Sequence, residues 1–268
     1  MAEIQFQILS DLHLEAPAAY DVFTITPKAP FLALLGDIGY VKDSGFFEFL
    51  QQQLKNFRLV FFLLGNHEPY HSDWAETKTK LNRFRDDMNK SFQMNELLGE
   101  LVFLDQTRYD VSSTVTVLGC TLFSTVIPEQ IETVSFGLND FYHIKDWSIE
   151  LHQQAHSEDL NWLNSQVESI ARLEPHRKIV IFTHYSPCTQ EPAVDPAHAG
   201  SSISSGFATD LSNEICWTDS SVKIWAFGHT HFNCDFEDLK GGKRVVTNQR
   251  GYYFSQAARF DEEKLVCI

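Results

Sequence analysis

The chain alternates between short apolar runs and longer stretches of helical period. Continuous apolar runs of strand length fall at residues 4–9, 31–35, 59–64, 115–118, 178–182, 222–227 and 244–246. Between them, residues 46–57, 74–92 and 148–173 repeat their apolar positions every three to four residues, the spacing of an amphipathic helix. In the longest of these, Leu151, Ala155, Leu160, Leu163, Val167 and Ile170 fall roughly on one face, and that face is expected to meet the core. Strands that are apolar throughout predict sheets buried on both sides and covered by helices. Residues 127–147 and 187–210 break the rhythm. They are rich in Pro, Ser, Gly and aromatic residues and read as long loops over a binding face.

Composition narrows the class. With 268 residues, 43% of them hydrophobic, the chain can bury the core of one large α/β domain, taken here as residues 1–268. The net charge of −15 argues against nonspecific attraction to nucleic acid or to an anionic membrane. The five cysteines are odd in number and form no C-x-x-C pair, so they read as free thiols in a reducing compartment. The opening MAEIQFQILSDLHLE lacks the basic start and apolar core of a signal peptide, and no run is long enough to span a membrane. The expected location is the cytoplasm.

The candidate chemistry lies where the apolar runs end. Ile8-Leu9 leads into Ser10-Asp11-Leu12-His13, Leu34-Leu35 into Gly36-Asp37, and Leu63-Leu64 into Gly65-Asn66-His67-Glu68. Ile181-Phe182 leads into Thr183-His184, and Ala226-Phe227 into Gly228-His229-Thr230-His231. In open α/β sheets ligands bind beyond the carboxyl ends of the strands, so these residues are expected to converge. Two aspartates, one asparagine and four histidines offer oxygen and nitrogen without sulfur, which suits Mn, Fe, Co, Ni or Zn. Seven ligands exceed the need of one ion, and two ions sharing a carboxylate account for them. Asp11 and His13 are alternate residues that can reach one ion. His229 and His231 repeat that spacing and serve one ion or divide between two.

A competing motif overlaps the third of these segments. His67-Glu68-Pro69-Tyr70-His71 fits the H-E-x-x-H pattern of zinc proteases. That pattern needs a helix to bring both histidines to one ion. Pro69 removes a backbone donor and drives Glu68 out of the helical region. A strand breaking at Gly65 into a turn fits better.

The ordered set Asp11-x-His13, Gly36-Asp37, Gly65-Asn66-His67-Glu68, His184 and Gly228-His229-Thr230-His231 resembles the calcineurin-like metallophosphoesterase superfamily. SDLHLE, LGCTLFS, LNDF and NQRGY resemble a little-studied bacterial and fungal branch of it. The resemblance implies a four-layered α-β-β-α sandwich with two central mixed sheets and a dinuclear metal site at the carboxyl ends of the strands. Asp11, His13, Asp37 and His231 would hold one ion. Asp37 would bridge to a second, completed by Asn66, His184 and His229. A hydroxide bridging the ions would attack phosphorus in line, with Asp37 and His67 as the catalytic residues and His67 the proton donor. Glu68 would orient His67 or sit as a carboxylate at a helix N-terminus. Arg250 would contact phosphate or be structural. Phe141, Tyr142, Trp147 and Tyr185 would cap the site or anchor loops, Tyr142 and Tyr185 being taken as substrate contacts. His71, His143 and His198 are further candidates for the pocket wall.

One departure separates classes within the resemblance. Phosphoprotein phosphatases carry an arginine shortly after the aspartate of the second motif and another beside the third. Here Gly36-Asp37-Ile38-Gly39-Tyr40-Val41-Lys42 has none, and Glu68 stands at the other place. A phosphodiester carries less charge than a monoester and needs fewer cationic contacts. The reading is therefore a metal-dependent phosphoesterase acting on small phosphate esters, diesters above monoesters, with nucleotides among the candidates. Phosphomonoesterase or protein phosphatase activity and a catalytically silent metal-bound scaffold are the alternatives. Nucleic acid and membrane are not expected partners.

Overall fold

The apolar runs pair into two facing sheets. This is a computed structural model that describes residues 3–94, 98–198 and 200–268. Residues 1–2, within the opening screened for a signal peptide, and residue 199, within the predicted 187–210 loop, lie outside the described residues. The strands are β1 (Gln5–Leu9), β2 (Phe31–Leu35), β3 (Leu59–Leu63), β4 (Glu100–Phe103), β5 (Thr107–Asp110), β6 (Val115–Gly119), β7 (Lys178–Phe182), β8 (Val222–Phe227), β9 (Asp235–Asp238), β10 (Lys243–Thr247), β11 (Gly251–Tyr252), β12 (Ser255–Gln256) and β13 (Leu265–Cys267). The helices are α1 (Ser44–Asn56), α2 (Trp74–Met94), α3 (Ile131–Gly137), α4 (Asp140–His143), α5 (Ile149–Leu173) and α6 (Ile215–Thr218). One sheet runs β13-β1-β2-β3-β4 and the other β5-β6-β7-β8-β10-β9, while β11 and β12 form a separate hairpin. Both sheets are mixed: β13 is antiparallel to β1, β5 to β6 and β9 to β10, and the strands between run parallel.

Strand periodicity sorts the core into layers. On β2, Phe31, Ala33 and Leu35 face the opposite sheet, while Leu32 and Leu34 face helices. On β3, Leu59, Phe61 and Leu63 take the inner side and Val60 and Phe62 the outer. On β7, Val180 and Phe182 point inward, and Ile179 and Ile181 pack under α5 with Leu163, Val167 and Ile170. Helices α1 and α2 cover the first sheet through Phe46, Leu50, Leu54 and Leu81. The result is the α-β-β-α order, with the central strands β2, β3 and β6 buried on both faces, as their apolar sequences require.

The structure corrects three readings. In the first half of α5 the buried face is Ile149, His152, His156 and Asp159, and Leu151 is exposed. The polar residues turn inward there because the chain after β6 needs partners: Leu122 N–H donates to Asp159, His156 Nδ1 meets Leu122 O, and Ser124 meets His152 Nε2. The 127–147 and 187–210 segments are not plain loops, since the first contains α3 and α4 and both contain short 3-10 turns. The unforeseen strands β4, β5, β9 and β13 are short, and β4, β5, β9 and β13 are the four sheet edges, where charged and half-exposed residues blur the apolar pattern. The remaining expectations of free thiols hold for all five cysteines. Among the described residues no helix is long and apolar enough to cross a membrane.

Candidate metal centre

Register delivers the polar residues to one level. Leu9 pairs with Leu34, Leu35 with Leu63, and Phe182 with Ala226. The residues just beyond β1, β2, β3, β7 and β8 therefore emerge side by side at the carboxyl ends of parallel strands. Asp11, His13, Asp37, His229 and His231 all have left-handed backbones, with φ between 47° and 70°. Five non-glycine residues in that sparsely populated region, in one place, indicate strain held by the surrounding fold at a functional centre. Gly36, at φ 86°, precedes Asp37, and a Cβ there would stand 2.5 Å from Gly65 N and 2.6 Å from His184 Nδ1. Only glycine lets the second and third turns approach this closely.

The side chains form two adjoining groups. Ligand atoms of Asp11, His13 and His231 lie within 4.8 Å of one another, and so do those of Asp37, His184 and His229. Asp37 lies between them, with Oδ1 3.4 Å from His184 Nε2 and Oδ2 3.9 Å from His13 Nε2. Asn66 Oδ1 is 3.2 Å from His184 Nε2. All seven predicted ligands are thus brought together.

The donor set fits cations. His13 Nε2 and His231 Nε2 face each other at 3.0 Å, although His13 Nδ1 is already matched to the Glu15 carboxylate at 3.2 Å. With the proton on Nδ1, the His13 lone pair on Nε2 points into the centre. His229 Nε2 is buried and has no hydrogen-bond partner among the described residues. His184 Nδ1 donates to Leu35 O at 2.8 Å, which aims Nε2 at the centre, the usual support of a metal-bound imidazole. Burial, followed by the repulsion of His184, holds His229 well below the ordinary imidazole range. Burial would raise the Asp37 carboxyl, but His184 and His67 outweigh it and hold it well below its ordinary value. A buried carboxylate beside the neutral, unpartnered Nε2 of His229 suits a divalent cation.

His67 stands beside Asp37. Its Nδ1 is 2.9 Å from Glu15 Oε1, its Nε2 is 4.0 Å from Asp37 Oδ2, and its backbone N–H donates to Asp37 Oδ1 at 2.9 Å. Burial would lower this imidazole, yet Asp37 and then Glu15 raise it to about 9. The surrounding chain, residues 66–71, is a series of turns and not a helix. His71 faces His143 and Tyr40 instead of sharing the centre, so the protease arrangement is absent.

Above the centre opens a cavity of about 910 Å³. Asp37, Asn66, His67, His229 and His231 form its floor, and the segments predicted to overlie the site form its walls.

A family model described as calcineurin-like phosphoesterase matches residues 4–233. The chain belongs to this family. An uncharacterised protein of Acanthamoeba polyphaga mimivirus is 26% identical over 263 residues, 91% of this chain and 90% of that one. A phosphopantetheinyl hydrolase from Mycobacterium tuberculosis superposes with a TM-score of 0.69 at 16% identity, covering 100% of this chain and 96% of the other. A dimetal phosphatase from Danio rerio gives a TM-score of 0.53 at 14% identity over 91% and 86% of the two chains. The sandwich of two mixed sheets is the calcineurin-like fold, and its Asp and His groups are candidate metal ligands in a family of phosphoester hydrolases.

Other residues of this phosphoesterase complete the site. Glu15 is the carboxylate common to His13 and His67, and these two hold it down at about 2 against the effect of burial. Asp140 is buried, accepts hydrogen bonds from Asn66 Nδ2 at 2.7 Å and Tyr70 OH at 2.6 Å, and lies 3.3 Å from Tyr185 OH. It leaves Asn66 Oδ1 turned to the centre. Gln249 accepts from His231 N–H at 2.6 Å and donates to Thr230 and Phe232 O. Glu15, Asp140 and Gln249 lie in SDLHLE, LNDF and NQRGY, but none of the three was singled out within those phrases. Glu68 neither orients His67 nor starts a helix. Its carboxylate accepts from Asp37, Ile38 and Gly65 N–H and ties the second and third turns together.

Arg250, Tyr185 and Tyr142, expected from sequence as substrate contacts, do not line the cavity. Arg250 donates to Leu12 O at 3.0 Å and lies over the Phe23 ring, clamping the first turn outside the cavity wall. Tyr185 is buried beneath the floor, 4.0 Å from the His229 ring. Tyr142 is exposed and its hydroxyl turns back to Phe136 O. Tyr252, not anticipated, does line the cavity. Its ring lies 4.2 Å from His13 and its hydroxyl 3.4 Å from His67 Nε2. Of the three outlying histidines, only His198 lines the wall.

Proposed function

We propose that this protein is a dinuclear metal-dependent phosphodiesterase acting on small phosphate esters. The observation that carries the reading is the meeting of two ligand groups at Asp37 with His67 beside them. Asp11, His13, Asp37 and His231 would hold one divalent ion, and Asp37, Asn66, His184 and His229 the other. Such ions supply Lewis-acid stabilisation of phosphoryl charge and water made acidic enough to act as a nucleophile near neutral pH. Mn, Fe, Co, Ni and Zn all suit this nitrogen and oxygen donor set.

The chain's own residues supply position and a proton. Asp37 keeps the two ligand groups in contact. Glu15 fixes the His67 ring by its Nδ1, which leaves Nε2–H facing the cavity. His67, kept protonated by Asp37 and Glu15, donates from Nε2 to the leaving oxygen. The Tyr252 hydroxyl marks that place. No arginine or lysine reaches the floor from the described cavity lining, and a diester, with one charge fewer than a monoester dianion, suits such a floor. The phosphopantetheinyl group named for the mycobacterial neighbour is one candidate ester.

The test is hydrolysis of bis(p-nitrophenyl) phosphate beside p-nitrophenyl phosphate by stripped protein re-loaded with Mn, Ni, Zn or Mg. The diester should be preferred, activity should need the metal, and His67→Asn should lower kcat by ~10²–10⁴-fold. Faster turnover of the monoester would contradict the diester reading.

A further inference from the structure

The cavity is far larger than a phosphoryl group requires. Its 910 Å³ is near the upper end of the range that encloses a drug-sized molecule, about 300–1,000 Å³. Only one end touches the candidate ligands. The remainder rises between the segments around α3 and α4 on one side and residues 189–210 on the other.

The chemistry of that upper part is uneven. Ile127, Leu138, Ile203 and Phe207 make an apolar wall, and Ser204 and Thr209 add hydroxyl groups. Asp140, Glu191, Asp195 and Asp210 also line the space, and no lysine or arginine does so among the described residues. Bound cations would concentrate positive charge at the floor, where the phosphoryl group sits. A second anionic group on the ligand, held higher in the cavity, would meet carboxylates and apolar surface with no lysine or arginine to pair with. A site without a lysine or arginine for a second anion discriminates by the cost of leaving that charge unpaired.

The geometry points to a ligand class: a phosphodiester with one long, uncharged arm that is part apolar and part hydrogen-bonding, and with no anionic group beyond the phosphoryl. This rests on the phosphodiesterase reading for the placement of the phosphoryl group at the floor. Nucleoside polyphosphates and bisphosphorylated arms are excluded by the same walls that accept a neutral arm.

The test compares two chromogenic diesters with the same reacting ester. They are the p-nitrophenyl ester of thymidine 5′-phosphate and its counterpart bearing an additional 3′-phosphate. Binding of each to Mn-loaded His67→Asn protein is measured by calorimetry, so that the readout does not depend on turnover. The 3′-phosphorylated diester is expected to bind at least tenfold more weakly. Ile127→Lys, which places a cation at an exposed position of the wall, should narrow that ratio to less than threefold in the same background. Equal or tighter binding of the 3′-phosphorylated diester, or no binding of either, would overturn the inference. Wild-type hydrolysis of the simpler diester reports separately on the phosphodiesterase reading.

Discussion

Glu15 shows how much of the site depends on a residue that holds no ion itself. Its one carboxylate oxygen serves His13 and His67 together, so it orients a candidate ligand and the proposed proton donor at once. Glu15→Gln keeps the shape and removes the charge. It should lower kcat/KM by ~10–100-fold, the usual effect of losing a partner behind a metal-site imidazole. Because Glu15 helps raise His67 to about 9, the alkaline limb of the pH–rate profile should also move to lower pH. A loss of rate with that limb unmoved would make Glu15 merely structural. Asp140→Asn tests the other side, since it weakens the grip on Asn66. Affinity for the ion at the Asn66 group should fall by ~10–100-fold by metal titration, and unchanged affinity would remove Asp140 from the account. The candidate ligands were legible because they stand just after apolar strands. Glu15, Asp140 and Gln249 were not, because their roles come from contacts across the fold that no local spacing reports. Arg250 was left open between phosphate contact and structural residue for the converse reason: its charge suggests phosphate, while its neighbours Leu12 and Phe23 fit a clamp.

Helix α5 behaves as two halves. The second half buries Leu163, Val167 and Ile170 in the ordinary way. The first half presents His152, His156 and Asp159 to residues 122–124, where Leu122 and Phe123 have φ of 75° and 50°. The helix thus satisfies a strained stretch that leads straight into the cavity wall at Thr125. Burial, with His156 adding to it, pushes the His152 imidazole down to about 3 from an ordinary 6.5. Between pH 6.5 and 3 the unfolded chain therefore binds a proton that the folded chain refuses. Stability falls as pH falls through that window, by ~1.4 kcal/mol per unit. His152→Gln should be less stable at pH 7.5, but the difference should shrink by about 2 kcal/mol at pH 5.0 in denaturant unfolding. A constant difference would show that His152 does not titrate with unfolding. The apolar strands and the three long helices were readable because period and length agree. The polar stripe of α5 was not, since exposed Leu151 and half-buried Ala155 offered a more apolar face in sequence than the one the fold uses.

At the level of the whole molecule, two sheets share one inner layer and bring their carboxyl ends to the same edge. Phe61 lies in that layer between Phe6, Phe182 and Tyr109. Phe61→Ala should cost ~3–5 kcal/mol of stability and loosen the level alignment of the two ligand groups. An unfolding midpoint close to wild type would show that the layer does not carry the sandwich. The cavity was only half legible. Its position over the strand ends followed from the two irregular segments, whereas its lack of basic residues emerged only once the fold had chosen which side chains line it. The central claim is that this edge holds two ions that act together on a phosphodiester. Its most direct test is the rate of bis(p-nitrophenyl) phosphate hydrolysis as Mn is added stepwise to stripped protein. The account predicts a rise that breaks at two equivalents per chain. Saturation at one equivalent, or hydrolysis indifferent to metal, would contradict it.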